Sequence, residues 1–204
     1  MIAEEKRESN LKDRLFWERM RKGDQEALAA LFRRHYAMLY DYGMKLARQE
    51  EQVKDSIQEM FAYLWEKRQK LSPANSVRAY LLASLRRDLL KALAQQNKRQ
   101  ASQEEFDRQQ EQEIFSSEDL LILQESGIAE RLALKQALQT IPPRLREALY
   151  LKTFSGLPYR DIAAIMKISP QVARNYVAEA FQRLRRILRP AARQKIFKKS
   201  EKDA

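Results

Sequence analysis

The stretch from Pro158 to Leu188, PYRDIAAIMKISPQVARNYVAEAFQRLRRIL, decides the fold, because it predicts a short helix, a tight turn and a longer basic helix. Pro158 suits the first position of a helix, and apolar residues follow it on one face at helical spacing. The break comes at Lys167–Ile168, after which Ser169 is a good N-cap and Pro170 favours a new helix start. The apolar face of the second helix recurs at steps of four and three residues, at Ala173, Val177, Ala180, Leu184 and Ile187. This order of parts predicts a helix-turn-helix, a unit that enters a DNA groove.

The outward face of the second helix carries the polar side chains expected at a DNA interface. A helix-turn-helix places the N-terminal side chains of its second helix on base edges, which predicts base reading by Gln171, Arg174 and Asn175. Arg183 and Arg186 lie further along the helix and are expected to contact phosphates. From this stretch alone, an ordinary helical hairpin with a solvated basic face stays open as the alternative.

Composition restricts the chain to few protein classes. It has 204 residues with four glycines and six prolines, so residues that form β-hairpin turns are scarce and an all-α fold is expected. The absence of cysteine and the single histidine, His35, exclude disulfides, thiolate metal sites and histidine clusters. We therefore expect no metal or other cofactor, and the sequence shows no catalytic constellation. No apolar run has the length of a membrane span and the start lacks the core of a signal peptide, so we expect a cytoplasmic protein without membrane insertion.

The net charge of +11 indicates a polyanionic partner, and its distribution is uneven. Residues 170–204 carry 10 basic and 3 acidic side chains, a net charge of +7. Residues 98–126 carry 3 basic and 8 acidic side chains, a net charge of −5. Positive charge is thus concentrated at the C-terminal helix, and an acidic segment separates it from the first half of the chain.

The first half of the chain begins with two predicted helices. The first covers residues 10–22 and ends at Gly23. On its adjoining turns lie Leu11, Leu15, Phe16 and Arg19. Asp24 is expected to cap the second helix, whose apolar stripe is interrupted by Gly43. His35 lies off the middle of that stripe and has no partner constellation, so we expect it at the surface or its boundary.

A third helix, EEQVKDSIQEMFAYLWEKRQK, has two contrasting faces. The apolar face consists of Val53, Ile57, Met60, Phe61, Leu64 and Trp65. The opposite face is acidic and amide-rich, with Asp55, Gln58, Glu59 and Glu66. These residues by themselves leave open whether the polar face is merely solvated or docks a partner.

A loop with Ser72, Pro73 and Asn75 leads to a second basic helix. The exposed side of this helix carries Arg78, Arg86, Arg87, Lys91, Lys98 and Arg99. From Gln100 the composition shifts to Gln, Glu and Ser, which predicts a flexible linker that cannot bury enough surface to fold alone.

The organisation that follows is two small helical domains joined by that linker. We expect the domains over residues 1–97 and 128–192, the acidic linker over 98–127 and a basic tail over 193–204. The C-terminal domain would be a small bundle of four helices, the last two forming the helix-turn-helix.

The two halves together resemble a bacterial sigma factor of the extracytoplasmic-function (ECF) group of the sigma-70 family, over about residues 10–97 and 128–189. In that family a helix with the pattern D-x-x-Q-[DE]-x-F-x-x-[LV]-W docks on core RNA polymerase. The matching positions are Asp55, Gln58, Glu59, Phe61, Leu64 and Trp65. The family's C-terminal motif is matched by Ile141, Pro142, Arg146, Leu149, Leu151, Gly156, Tyr159, Asp161, Ile162, Ala163, Met166, Ile168 and Ser169.

Three positions depart from the family pattern. Lys167 stands where the family often has glycine in the turn, which predicts a changed turn geometry without loss of the motif. Arg87 and Lys91 stand where members commonly carry Asn or Asp, on the helix that faces the melted promoter strand. A family rule for the preferred bases therefore does not transfer to this helix.

The resemblance implies a transcription initiation factor, without enzymatic activity, that binds core RNA polymerase and directs it to specific promoters. The N-terminal domain would hold polymerase through the Asp55–Trp65 face and engage the minus-10 element with the loop Lys70–Ser76 and the helix after it. The expected minus-10 residues are Ser76, Tyr80, Arg86, Arg87 and Lys91. The expected minus-35 residues are Gln171, Arg174, Asn175, Arg183 and Arg186. Members of the family are often held inactive by an anti-sigma factor, which is an expected partner besides polymerase and promoter DNA.

Two other functions are compatible with the residues alone. A conventional helix-turn-helix regulator would bind duplex DNA without polymerase, usually as a dimer on a palindrome. An enzyme or an RNA-binding helical protein would use the basic helices for another polyanion. Co-purification with core RNA polymerase separates the sigma factor from the conventional regulator.

Overall fold

The computed structural model describes residues 2–100, 134 and 136–200, and every regular element within these ranges is a helix, as the composition predicts. The chain forms two compact units, one N-terminal and one C-terminal. Residues 101–127 of the expected linker and 201–204 of the expected tail lie outside the described residues. Among the helices described, none combines the length and apolar character needed to cross a membrane.

Four helices form the N-terminal unit. They are α1 (Ile2–Arg21), α2 (Gln25–Ala47), α3 (Glu50–Glu66) and α4 (Val77–Gln100). A short 3-10 helix, Arg68–Lys70, and an irregular loop join α3 to α4. The second and fourth helices are central, because each of them packs against the other three.

Two leucines of α1 lie outside its buried face. The helix begins at Ile2, earlier than expected, and Leu11 and Leu15 are exposed. Asp13, Trp17 and Met20 are buried instead. These three recur at steps of four and three residues, so they share one face, and the two leucines point to the other side of the helix.

The turn between α1 and α2 is as predicted. Gly23 has a φ of +97°, a conformation that glycine adopts without steric cost. Asp24 then caps α2, since its Oδ1 accepts a hydrogen bond of 3.1 Å from the backbone N–H of Ala27.

Gly43 allows α2 to approach its neighbours closely. A Cβ atom at this position would lie 2.6 Å from Cγ1 of Val53 in α3 and 3.4 Å from Cδ1 of Leu89 in α4. Glycine in a helix interior costs about 1 kcal/mol relative to alanine, and here that cost is offset by the packing of three helices at one point.

His35 is not at the surface, and that expectation is wrong. Its side chain is buried, and Nε2 lies 3.1 Å from Oδ2 of Asp13. The other oxygen, Oδ1, accepts a hydrogen bond of 2.7 Å from Nε of Arg34. Burial opposes ionisation of Asp13, but the close His35 imidazole and the hydrogen bond from Arg34 together outweigh it and hold the pKa of that carboxyl below its usual value. A buried polar cluster therefore ties α1 to α2.

The C-terminal unit contains α5 (Pro143–Thr153), α6 (Tyr159–Met166) and α7 (Pro170–Ser200). Residues 136–139, just before α5, are also helical.

The first helix of the predicted helix-turn-helix begins one residue later than expected, because Pro158 provides the carbonyl that accepts the first helical hydrogen bonds. Most of the predicted apolar faces of both helices are buried, namely Ile162, Ala163, Ile165, Met166, Ala173, Val177 and Ala180, and Leu184 and Ile187 are half-buried. The helix-turn-helix is thereby confirmed.

The turn between α6 and α7 keeps the geometry that glycine would give. Lys167 has a φ of +54°, in the left-handed region, so the expected change of turn geometry does not occur. The N–H of Ile168 bonds to the carbonyl of Ala163 at 3.0 Å and closes α6. Oγ of Ser169 accepts the N–H of Val172 at 3.2 Å and caps α7, as predicted.

Replacing Gly43 with alanine should destabilise the protein, although alanine is the better helix former. We expect Gly43→Ala to lower the free energy of unfolding by about 1–2 kcal/mol, because the added Cβ meets a buried valine. Chemical denaturation measures this. Adding Val53→Ala to Gly43→Ala should cost less than the sum of the two single changes, since it makes room for the Cβ. A Gly43→Ala protein more stable than the parent would contradict this account.

Replacing Asp13 with asparagine should remove part of the acid sensitivity of the fold. Because the folded-state pKa of Asp13 is lowered, its stabilising effect is complete above the unfolded pKa of about 3.9 and is lost as the pH falls through the folded value. We expect Asp13→Asn to cost about 2 kcal/mol at pH 7 and to flatten the loss of stability below pH 4. Urea titrations at several pH values measure both. The control is Glu8→Gln, which removes an exposed ion pair with Lys12 and should change little.

Candidate interaction surfaces

The three predicted base-reading residues lie on one exposed part of α7. Gln171, Arg174 and Asn175 occupy its first two turns, and their side chains are exposed. Ala173 and Val177, on the other side of these turns, are buried and fix the rotation of the helix. At a rise of 1.5 Å per residue, Arg186 lies about 18 Å further along the axis than Arg174.

Two side-chain pairs order the outer face of α7. Nε2 of Gln171 donates a hydrogen bond of 3.0 Å to Oδ1 of Asn175, so the two amides form one hydrogen-bonding group. Arg183 pairs with Glu179 one turn earlier, at 2.6 Å. Arg183 must therefore leave or share this carboxylate to contact a phosphate. Arg186 is exposed and can contact a phosphate directly.

Arg174 also has a contact that the sequence did not indicate. Its guanidinium lies 5.4 Å from the ring centroid of Tyr159, the first residue of α6. Nζ of Lys152, at the end of α5, lies 4.5 Å from the same centroid. A tyrosine ring that faces two cations restricts both of them, so Arg174, which is predicted to read bases, is held by the preceding helix.

The predicted minus-10 residues of α4 divide into two groups. Tyr80, Arg87 and Lys91 are exposed and recur at steps of seven and four residues, so they share one face. Arg86 is half-buried and lies off that face. Ser76 caps α4, because its Oγ accepts the N–H of Ala79 at 3.2 Å.

The loop before α4 is bound by α1, a contact that the sequence reasoning missed. Nε1 of Trp17 donates to the carbonyl of Ser72 at 3.1 Å, and Nε of Arg21 donates to the carbonyl of Leu71 at 2.6 Å. The Trp17 ring also meets the Tyr80 ring edge to face, with centroids 4.9 Å apart. A buried tryptophan with a polar ring atom was the available signal, since such an N–H needs an acceptor.

The two faces of α3 have separate roles. Phe61 and Leu64 are 5% and 1% exposed, so they hold the helix in the core and do not present side chains to a partner. Asp55, Gln58 and Glu59 are exposed on the other face. The buried residues of the motif therefore fix the rotation of α3, and this rotation directs the three polar side chains outward.

An open groove of about 920 Å³ lies at the start of α3. Its charged lining is predominantly acidic and comprises Glu50, Glu51, Lys54, Asp55 and Glu59. Lys54 is paired with Glu50 at 2.6 Å, which holds the pKa of that carboxyl below its usual value. The groove therefore keeps a negative potential suited to a basic partner.

Trp65, the last residue of the α3 motif, is partly covered. The guanidinium of Arg68 lies 4.3 Å from the ring centroid, and its Nη1 donates to the Trp65 carbonyl at 2.8 Å. The arginine thus caps the end of α3 and limits access to the indole. In the described ranges no three or more His, Cys, Asp or Glu side chains gather to hold a metal ion.

Two family models match the chain. The model of sigma-70 region 2 matches residues 31–99, and the model of sigma-70 region 4 matches residues 131–184. The first match contains the α3 face, the loop and the exposed face of α4. The second contains the helix-turn-helix as far as Leu184. A conventional helix-turn-helix regulator is not favoured, because region 2 precedes region 4 on the same chain.

Similar proteins support the same assignment. The RNA polymerase sigma factor CarQ of Myxococcus xanthus is 26% identical over 174 residues, which cover 84% of this chain and 94% of the relative. A solved structure of CnrH in complex with the cytosolic domain of CnrY is similar with a TM-score of 0.56 and 18% identity, over 88% of this chain and 98% of that one. The sigma factor RpoE in complex with the anti-sigma factor NepR, from Bartonella quintana, gives a TM-score of 0.55 and 21% identity, over 78% and 94% of the two chains.

The fold, the order of the two sigma regions and these likenesses agree with the motifs in the sequence. The chain belongs to the ECF group of the sigma-70 family and is a transcription initiation factor that binds core RNA polymerase and directs it to specific promoters.

Proposed function

We propose that this sigma factor holds core RNA polymerase through Asp55, Gln58 and Glu59 on the outward face of α3. The observation that carries the proposal is the separation of charge between helices of one unit. The outward face of α3 is acidic, whereas the exposed face of α4 carries Arg87 and Lys91. DNA phosphates are attracted to the basic face and repelled by the acidic one, so the partner of α3 is a protein surface with basic groups.

The other motif residues support this contact from within. Phe61 and Leu64 are buried and fix the rotation of α3, and the Trp65 ring, near the end of the helix, lies under the guanidinium of Arg68. We assign these three residues to the binding site as positioning residues. Polymerase contacts then come from the exposed acidic and amide groups.

Reversing two charges on α3 should abolish polymerase binding and leave the fold intact. We expect Asp55→Lys with Glu59→Lys to prevent assembly with core polymerase, because a basic partner surface would then be repelled. Helicity and the midpoint of thermal unfolding should stay nearly unchanged, since exposed charges contribute little to stability.

The matched control reverses two exposed glutamates elsewhere in the same unit, Glu8→Lys with Glu26→Lys. Both proteins change by the same net charge, so only the position differs. Pull-down of core polymerase by each protein measures the effect. Wild-type affinity in the α3 variant would show that this face is not the docking site.

We propose that α4 and the loop before it bind the minus-10 element, with Tyr80, Arg87 and Lys91 as the DNA-facing side chains. An exposed tyrosine with one ring edge supported by Trp17 offers a stacking surface for an unpaired base. Arg87 and Lys91 lie about two and three helical turns beyond it and supply phosphate contacts. Ser76 and Arg86 complete the predicted set, the first as the cap of α4 and the second at the edge of the face.

We propose that α7 reads the minus-35 element, with a division of labour along the helix. Gln171, Arg174 and Asn175 at its start meet base edges, whereas Arg183 and Arg186 meet phosphates. The Tyr159 contact and the Gln171–Asn175 hydrogen bond support this assignment, because they restrict the readers before DNA binds.

Two substitutions in α7 test this division. Arg174→Ala should cost about 1–3 kcal/mol on the cognate element and relax base preference at one position. Arg186→Ala should weaken binding to all sequences alike and lower the salt slope by about one. Titrations of matched and scrambled minus-35 duplexes at several salt concentrations measure both. Indistinguishable specificity profiles of the two variants would argue against the assignment.

We propose that the chain is regulated by an anti-sigma factor and acts in the cytoplasm without enzymatic activity. NepR is named as the anti-sigma factor of the similar RpoE, and CnrH is solved with the cytosolic domain of CnrY. The cytoplasmic location is proposed because core RNA polymerase and promoter DNA are found there. Catalysis belongs to the polymerase, and the sigma factor contributes binding and positioning.

A further inference from the structure

The loop between the 3-10 helix and α4 is held by donors from α1. Residues 71–76 contain no helical turn of their own, so their backbone groups need partners elsewhere. Nε of Arg21 donates to the carbonyl of Leu71 at 2.6 Å, and Nε1 of Trp17 donates to the carbonyl of Ser72 at 3.1 Å. Both bonds are partly buried, which protects them from competition by water.

A third side chain of α1 also donates to a carbonyl of this loop. Nδ2 of Asn10 approaches the carbonyl of Asn75 at 3.4 Å. Positions 10, 17 and 21 are separated by seven and four residues, so they lie on one face of α1. One face of this helix therefore follows the loop almost from end to end, with its side chains as donors and the loop carbonyls as acceptors.

Trp17 joins the loop to the exposed face of α4. Its side chain is 1% exposed, and its ring supports that of Tyr80 while its N–H binds Ser72. Tyr80 is 37% exposed, so part of its surface stays available to a ligand. The same buried residue thus sets the distance between the loop and the stacking surface.

We propose that α1 is the positioning element of the minus-10 site, with Trp17 and Arg21 as its positioning residues. They hold loop 71–76 against Tyr80 so that the exposed Ser72, Pro73 and Asn75 border a pocket for an unpaired base of the promoter. This inference rests on the proposed role of the loop and α4 at the minus-10 element. It adds a helix that precedes the region 2 match, which begins at residue 31.

The physical advantage is preorganisation. An irregular loop that first becomes ordered on DNA loses conformational entropy at that step, and the loss weakens binding and discrimination. With the loop carbonyls already bonded to α1, this loss occurs during folding. Base preference at the minus-10 element should therefore depend on residues of α1 that do not contact DNA.

The test compares variants of the full chain assembled with core polymerase. Arg21→Ala and Trp17→Phe each remove one donor, and Trp17→Phe keeps an aromatic ring beside Tyr80. Arg21→Lys restores a cationic donor at the same position. Lys22→Ala is the matched control, since it removes an exposed positive charge from the adjacent position.

Two measurements are made on each protein. Hydrogen exchange followed by mass spectrometry reports the order of the loop amides in the free chain. Run-off transcription from templates randomised across the minus-10 region reports the base preference. The loop variant Ser72→Ala with Asn75→Ala is included to test the role of the loop itself.

We expect Arg21→Ala and Trp17→Phe to speed exchange of the loop amides and to reduce the preference for the best minus-10 sequence by about fivefold to tenfold, the effect of one lost hydrogen bond. Arg21→Lys should recover part of both effects, and Lys22→Ala should show neither. If the loop variant changes base preference but Arg21→Ala and Trp17→Phe do not, the positioning role is wrong and the minus-10 assignment stands. If the loop variant leaves base preference unchanged, the minus-10 assignment of the loop is wrong and the positioning role falls with it.

Discussion

The close packing of α2 against α3 and α4 at Gly43 is the constraint on which the N-terminal unit depends. Val53 and Leu89 both come near the point where a side chain of residue 43 would begin. Since three helices meet there, neither α3 nor α4 can rotate about its axis without a clash or a void. The outward directions of Asp55 on α3 and Arg87 on α4 are therefore fixed by contacts on the opposite sides of their helices.

In the C-terminal unit, the direction of the exposed helix face is set by a turn between two helices. The turn between α6 and α7 is set by a left-handed Lys167 and a capping Ser169, so the two helices are joined at a defined angle. Lysine in this conformation carries a strain that glycine would not, and the hydrogen bond from Ile168 to Ala163 maintains it. The start of α7, where Arg174 lies, is positioned by this turn and by the Tyr159 ring.

Electrostatics separates the partners of these surfaces. The helices α3, α4 and α7 all pack through apolar faces but differ in the charge they expose. The start of α3 exposes carboxylates, whereas α4 and α7 expose arginines and lysines. At physiological salt such fields act over about 8 Å, so each surface selects its partner mainly at close range. These fields agree with the proposed roles, in which a protein surface with basic groups binds α3 and the DNA backbone binds α4 and α7.

Sequence patterns identified most of the helices, and for α3 they also identified the buried and the exposed face. Periodicity placed Phe61 and Leu64 in the core and Asp55 and Glu59 outside, and the Ser169–Pro170 pair marked the start of α7 correctly. The same reasoning did not identify the buried face of α1, where Leu11 and Leu15 are exposed although they have the hydrophobicity of core residues. It also predicted His35 at the surface or its boundary. The residue that accompanies it in the interior, Asp13, lies on another helix, so the pattern within α2 does not reveal it.

The sequence by itself determined the helical fold class, the helix-turn-helix and the acidic and basic faces, because these depend on residues a few positions apart. Tertiary structure decided the cluster of Asp13, Arg34 and His35 and the attachment of loop 71–76 to α1. Those contacts join residues that are 21 to 55 positions apart. They depend on how helices cross and rotate against one another, which the periodicity within a single helix does not specify.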